Sequence, residues 1–145
     1  MGGGVGEVVA FAKRFTCALV MASLVFHTSQ LDDIYLNTGH IQVQLIHPQA
    51  TLPTIQTPGS AAYDITTTDS AVLEPGQWRG FHTGLRRAIP TGMEGQLWPR
   101  SGLALRHGLG IRGGVIDSDY RGELIVLLEN RGNKPFICNR GDRVA

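Results

Sequence analysis

Ile41, Val43 and Leu45 alternate with Gln42 and Gln44, so an extended chain here has one apolar and one polar face. That period of two predicts a half-buried strand and marks the start of the folded domain. Downstream, Pro48, Pro53, Pro58 and Gly59 break the chain repeatedly. Strand-like stretches follow at residues 61–66, 77–84, 86–89 and 95–98. Residues 123–129 (ELIVLLE) form the most apolar run and are predicted as a core strand, with 135–138 a shorter one. One short helical turn is predicted over 101–106. No internal repeat is visible. The expected class is all-β, a barrel or sandwich of short strands.

Composition agrees. The 19 glycines and all 7 prolines cut the chain into short pieces, mostly after His47, which opposes long helices. A length of 145 residues suits one ordinary domain, and a hydrophobic share of 42% is enough for a core. With 13 basic and 12 acidic residues the net charge is +1, which gives no broad field for capturing a nucleic acid. No nucleic-acid partner is expected, and phosphate recognition must come from a few placed cations and backbone amides. Cys17 and Cys138 are too few for a disulfide framework, and the five histidines form no zinc pattern.

Residues 1–40 read as an N-terminal extension to a domain spanning 41–145. Met1 and the glycines after it are flexible in character. The apolar run 15–26 follows Lys13-Arg14 and has the length of a signal-peptide core, but lacks a small-residue cleavage pattern downstream. It is too short to span a bilayer, which takes about 20 apolar residues, so stable membrane insertion is not expected. Two readings stand: a poorly ordered extension, or sequence read upstream of the true start, on a cytoplasmic protein; or a segment targeting an organelle or secretion.

Three segments carry polar residues where packing does not ask for them. They are Ser60-Ala-Ala-Tyr63-Asp64-Ile65, Pro99-Arg100-Ser101-Gly102-Leu103-Ala104, and Gly114-Val115-Ile116-Asp117-Ser118-Asp119-Tyr120-Arg121-Gly122-Glu123. Arg100, Ser101 and Gly102 offer a guanidinium, a hydroxyl and an unhindered amide in succession, and a helical turn opening at Ser101 would converge its amides on a phosphate. The plainer alternative is a serine N-cap beside a solvated arginine. In the third segment, Asp117 and Asp119 crowd two carboxylates between a strand end and an aromatic ring. Either could orient a water as general base or help hold a divalent cation. The alternative is an Asp-rich turn between strands. Gly108 to Gly113 match G-x-G-x-x-G, but no helix follows, so a glycine-rich hairpin is expected rather than a dinucleotide site.

Taken together these segments resemble the trimeric deoxyuridine triphosphatase (dUTPase) family in content, order and spacing. SAAYDI resembles the first family motif, PRSGLA the second, GGVIDSDYRGE the third, and Gly141-Asp142-Arg143-Val144-Ala145 the start of the fourth. The resemblance implies a jelly-roll-like homotrimer that hydrolyses dUTP to dUMP and pyrophosphate with Mg²⁺. It implies that Asp117 activates the attacking water, and that Arg100, Ser101 and Gly102 bind phosphates from a neighbouring subunit. Tyr120 would pack under the deoxyribose and leave no room for a 2′-hydroxyl. Gly113, Gly114, Val115 and Ile116 would form the hairpin whose backbone reads uracil. Asp64 would support the Mg²⁺–triphosphate through water.

Two departures qualify the resemblance. Ala62 stands where the first motif usually has glycine, and the family's glycine-rich fifth motif would lie beyond Ala145. The expectation is therefore a C-terminally truncated family member, with catalysis impaired to match. Rival readings are a dUTPase-like nucleotide-binding or regulatory protein, and dCTP deaminase. The deaminase needs a glutamate where this chain has Leu127, although Glu129 would share that face of a regular strand.

Overall fold

The computed structural model describes residues 5–8 and 41–145. The expectations for Met1 and its following glycines, for the apolar run 15–26 and for Cys17 fall outside them. Among the described residues ten strands and one helix follow in order: β1 (Val5–Val8), β2 (Ile41–Leu45), β3 (Ala71–Leu73), β4 (Trp78–His82), β5 (Leu85–Ala88), β6 (Gly95–Gln96), α1 (Ser101–His107), β7 (Leu109–Ile111), β8 (Val115–Ile116), β9 (Ile125–Asn130) and β10 (Phe136–Cys138). They form four small antiparallel sheets, ordered β1-β2-β5, β10-β3, β4-β9-β7 and β6-β8. The fold is all-β and jelly-roll-like. No helix among the described residues is long and apolar enough to cross a membrane.

The alternation in β9 sets the main core. Val126, Leu128 and Asn130 point inward and are fully buried, while Leu127 and Glu129 share the opposite face. Leu73, Phe81, Leu109, Phe136 and Val144 close around the inward set. Asn130 is the polar hub of this core. Its side-chain nitrogen donates to Leu73 O and Lys134 O, both at 2.8 Å, and its oxygen accepts the Gly132 amide at 2.9 Å. A second cluster gathers Val43, Leu85 and Leu124, with Ile65 and Leu97 packed against both clusters.

Two expectations are corrected. Residues 61–66 do not form a strand. They make isolated bridges in two directions, Asp64 to Thr54 and Thr66 to Arg143, because different stretches of chain flank them. The glycine-rich segment is not a hairpin either. β7 joins β9 and β8 joins β6, so Arg112, Gly113 and Gly114 carry the chain from one sheet to another. The Leu97 amide donates to Gly114 O at 2.8 Å and draws β8 toward β6.

The last residues are locked in. Ile65 N donates to Ala145 O at 2.9 Å, Val144 N to Ile65 O at 2.8 Å, and Gly141 N to Thr67 O at 2.8 Å. Burial of Val144 anchors this segment and sets Arg143 beside Asp64.

Candidate active site

The first and second sequence motifs meet at Asp64. One carboxylate oxygen lies 3.4 Å from Arg100 Nε, and the other accepts from Arg143 Nη1 at 2.9 Å. Arg100 also reaches toward Arg143 O at 3.5 Å. Backbone bonds between Asp64 and Thr54, at 2.8 and 3.2 Å, hold the carboxylate in place. Arg100 is therefore not simply solvated, and it rather than Ser101 is the residue at the helix N-cap, with no side-chain capping bond.

Ser101 is the first residue of α1 and is exposed, as the helical-turn expectation required; the helix runs one residue further, to His107. It stops there because Gly108 adopts φ 66°, and its amide donates to Ala104 O at 2.9 Å. The Arg106 guanidinium folds back over Gly102, where a Cβ would come within 2.9 Å of Nη2. Arg100, Arg106 and Arg143 thus outnumber the single carboxylate of Asp64 around this helix start. Such a surplus attracts a polyanion, and guanidinium groups suit phosphate oxygens.

At the crossover, Gly113 and Gly114 have φ values of 66° and 107°, which side-chain-bearing residues rarely adopt. A Cβ on Gly114 would lie 2.9 Å from Leu97 O, so the backbones of these two segments touch. Val115 is exposed, whereas Ile116 packs into the second cluster and fixes β8. With no side chains at Gly113 and Gly114, the backbone here can approach a flat polar ring closely.

Asp117 follows directly from β8 and is exposed. Its carbonyl accepts the Tyr120 amide at 3.2 Å, closing a tight turn. The Tyr120 hydroxyl donates to Glu123 O at 3.0 Å, and Arg121 Nη1 donates to Ser118 O at 2.6 Å. Beneath the turn, the Arg87 guanidinium lies 4.6 Å from the Tyr120 ring centre. Burial pushes the Arg87 pKa down, with Tyr120 opposing.

Sequence reasoning missed Arg87, Arg106 and Leu97 as site neighbours, and quoted Arg143 without giving it a role. Arg87 could have been found: Leu85 and Ile89 are buried, and a period of two puts Arg87 on the same inward face. Arg143 meets Asp64 across 79 residues, a separation that no local pattern reports. No group of three or more His, Cys, Asp or Glu among the described residues could hold a metal by itself.

Glu129, the residue nearest to a deaminase's glutamate, is fully engaged. Arg112 Nη2 and Arg131 Nε donate to its two oxygens at 2.6 and 2.7 Å, and these bonds hold its pKa at about 2. A carboxylate so firmly ionised is a poor proton shuttle near neutral pH.

The dUTPase family matches residues 48–145. A deoxyuridine 5′-triphosphate nucleotidohydrolase of an Anaeromyxobacter species is 49% identical over 100 residues, covering 68% of this chain and 68% of the relative. That of Syntrophotalea carbinolica is 41% identical over 114 residues, covering 76% and 78%. Among solved structures, a mutant dUTPase from phage phi11 of S. aureus, described with a structural Mg(II) ion, superposes with a TM-score of 0.68 at 27% identity, over 72% of this chain and 86% of that one. A mutant dUTPase of Staphylococcus bacteriophage 80alpha with bound dUpNHpp gives a TM-score of 0.69 at 26% identity, over 76% and 87%.

Proposed function

This chain belongs to the dUTPase family, and from that premise we propose how its motifs divide the chemistry. Its activity is that of a dUTP diphosphatase, hydrolysing dUTP to dUMP and pyrophosphate. The observation that carries the proposal is the meeting of Asp64, Arg100 and Arg143, which gathers cations for a triphosphate at one end of a short helix.

Arg100, Ser101 and Gly102 bind the phosphate oxygens, and Arg106 and Arg143 add positive charge. Gly113, Gly114, Val115 and Ile116 present backbone to the uracil edge. A backbone donor–acceptor pair separates uracil from cytosine, because the two bases invert polarity at position four. The close approach that glycine allows excludes the thymine methyl. Tyr120 packs under the deoxyribose.

Asp117 takes a proton from a water whose oxygen bonds to the α-phosphorus while the bond to the leaving pyrophosphate breaks. Its exposure leaves room for that water. The single carboxylate of Asp64 fits a Mg²⁺ carried mainly by the triphosphate oxygens, and no group of three or more His, Cys, Asp or Glu that could hold it gathers among the described residues. Asp64 would support the ion through water, with Arg100 and Arg143 shared between carboxylate and phosphates. Magnesium would neutralise charge on the triphosphate and fix its geometry.

The active form is a homotrimer, in which Arg100 and its neighbours serve a site completed by the Asp117 turn of an adjacent subunit. The family match supports that reading. Incubation with dUTP, dCTP, dTTP and UTP, with phosphorus products resolved by ³¹P NMR and released ammonia assayed separately, tests the reaction. Pyrophosphate and dUMP from dUTP are expected; ammonia from dCTP would overturn the reading. Sedimentation equilibrium tests the assembly, and a stable, active monomer would remove the shared site.

A further inference from the structure

Arg87 is a buried cation among the described residues that the chemistry above does not use. It lies on β5 opposite Val43 of β2 and is only 6% exposed. Its Nη1 donates to Gly122 O at 3.2 Å, while Nε and Nη2 are buried with no hydrogen-bond partner among the described residues. Burying a guanidinium so sparsely satisfied is costly, and an apolar side chain of similar length would fill the position at less cost. The guanidinium also lies 4.6 Å from the centre of the Tyr120 ring.

That ring is held in three ways. Its hydroxyl donates to Glu123 O at 3.0 Å. It lies so close to Gly122 that a Cβ there would meet the ring's Oη and Cζ at 2.5 and 2.6 Å. The guanidinium is the third restraint, and it joins the other two, because Arg87 donates to the same Gly122 whose bare Cα the ring covers. Tyr120 nevertheless remains 46% exposed. The ring is thus backed by charge and open to a ligand.

We propose that Arg87 is a positioning residue that fixes the Tyr120 ring against Gly122 and so sets the rejection of 2′-hydroxyl nucleotides. This rests on the reading of Tyr120 as the surface under the deoxyribose. An attraction between guanidinium and ring face holds the ring at one depth. Without it the ring can tilt away from Gly122 and make room for a 2′-oxygen. Arg87 does not touch the nucleotide and acts only through the ring.

The test measures affinity, so it does not depend on the rate of hydrolysis. The full chain is titrated with dUpNHpp and with its ribonucleotide counterpart UpNHpp in the presence of Mg²⁺, as the parent, Arg87→Met, Tyr120→Ala and the double variant. Arg87→Met should narrow the dUpNHpp preference by about tenfold, with a thermal midpoint equal to or above the parent's because a buried charge has been removed. In the Tyr120→Ala background the same change should have no further effect. Arg87→Gln keeps a flat polar end without the charge, and carries the same test should the apolar variant not fold. If Tyr120→Ala abolishes the preference while both Arg87 variants keep it, the ring reading stands and the role of Arg87 is overturned. If Tyr120→Ala also keeps the preference, the ring reading falls and this proposal falls with it.

Discussion

His82 Nδ1 lies 2.9 Å from Glu123 Oε2, tying β4 to the residue that ends the loop bearing Asp117 and Tyr120. The second Glu123 oxygen accepts the Gly84 amide at 2.9 Å. The Glu123 hydrogen bond is the main cause that raises His82 above its ordinary 6.5, with the charges of Glu123 and Asp69 assisting and burial and Arg79 opposing. Burial pushes Glu123 up, but the bonds from His82, Gly84 and Thr83 outweigh it and hold it below 4.5.

A raised histidine contributes its stability below its unfolded pKa and loses it as pH rises through the folded value. A depressed carboxylate contributes above its unfolded pKa and loses it as pH falls through the folded value. The pair is therefore strongest between about pH 5 and about pH 6.5. With side chains 52% and 24% exposed, it is screened and contributes less than about 1 kcal/mol. His82→Gln should lower the melting temperature by about 1–3 °C at pH 5.5, and by less at pH 8. An equal loss at both values would show that the ionised pair adds nothing.

The two crossover glycines should respond differently to the same methyl group. Gly113 has φ 66° with nothing within 4 Å of a new Cβ, so Gly113→Ala meets only backbone strain, about 1–2 kcal/mol. Gly114 has φ 107° and the Leu97 carbonyl 2.9 Å away, a backbone atom that cannot swing aside. Gly114→Ala should cost about 2–4 kcal/mol and weaken dUpNHpp binding as well, because the base-reading edge must shift. Urea melts of both variants, paired with titration, check the order. Equal destabilisation would show that the Leu97 contact is slack.

What the sequence made legible was whatever repeats at short range. The apolar run that becomes β9, the helical turn opening at Ser101, and the crowding of Asp117 and Asp119 in a turn were all readable from neighbouring residues, whereas which of Val126, Leu127 and Leu128 face inward was not. β3, only three residues long, is too short to show a period. β1 gains its strand character from pairing Val5 with Gln44, a tertiary fact. Residues 61–66 misled because alternation cannot say that Asp64 and Thr66 have different partners. The site divides in the same way. Its motifs were local, whereas the counter-ions of Asp64 and the guanidinium beneath Tyr120 come from elsewhere in the chain.

Asn130 tests whether the polar hub of the core is as fully used as its geometry suggests. Truncation to alanine leaves Leu73 O, Lys134 O and Gly132 N without their partner, in a place where Asn130 itself is 0% exposed. Unpaired buried groups cost about 1–3 kcal/mol each and water recovers part of that, so Asn130→Ala should lose about 3 kcal/mol. Denaturant midpoints at constant slope measure it. A loss under about 1 kcal/mol would mean that these carbonyls find other donors.

Asp117 gives the most direct test of the chemistry. Hydrolysis of a polyanion needs a water held in line and a base ready to take its proton. Asp117 stands where β8 ends, and its carbonyl is committed to the Tyr120 amide at 3.2 Å, so the turn holds without help from the carboxylate. Asp117→Asn therefore keeps the shape and the turn and removes only the basicity. General-base catalysis is worth about 10²–10⁴-fold, so kcat for dUTP should fall by that factor while dUpNHpp affinity and thermal stability stay near the parent's. A parallel loss of affinity would point to a binding role instead. Asp119→Asn is the matching control: Asp119 is also exposed but two residues further from the strand end, and its loss should leave kcat within a few-fold. If Asp117→Asn hydrolyses dUTP at the parental rate while Asp119→Asn is slow, the base is Asp119, and Asp117 only closes the turn.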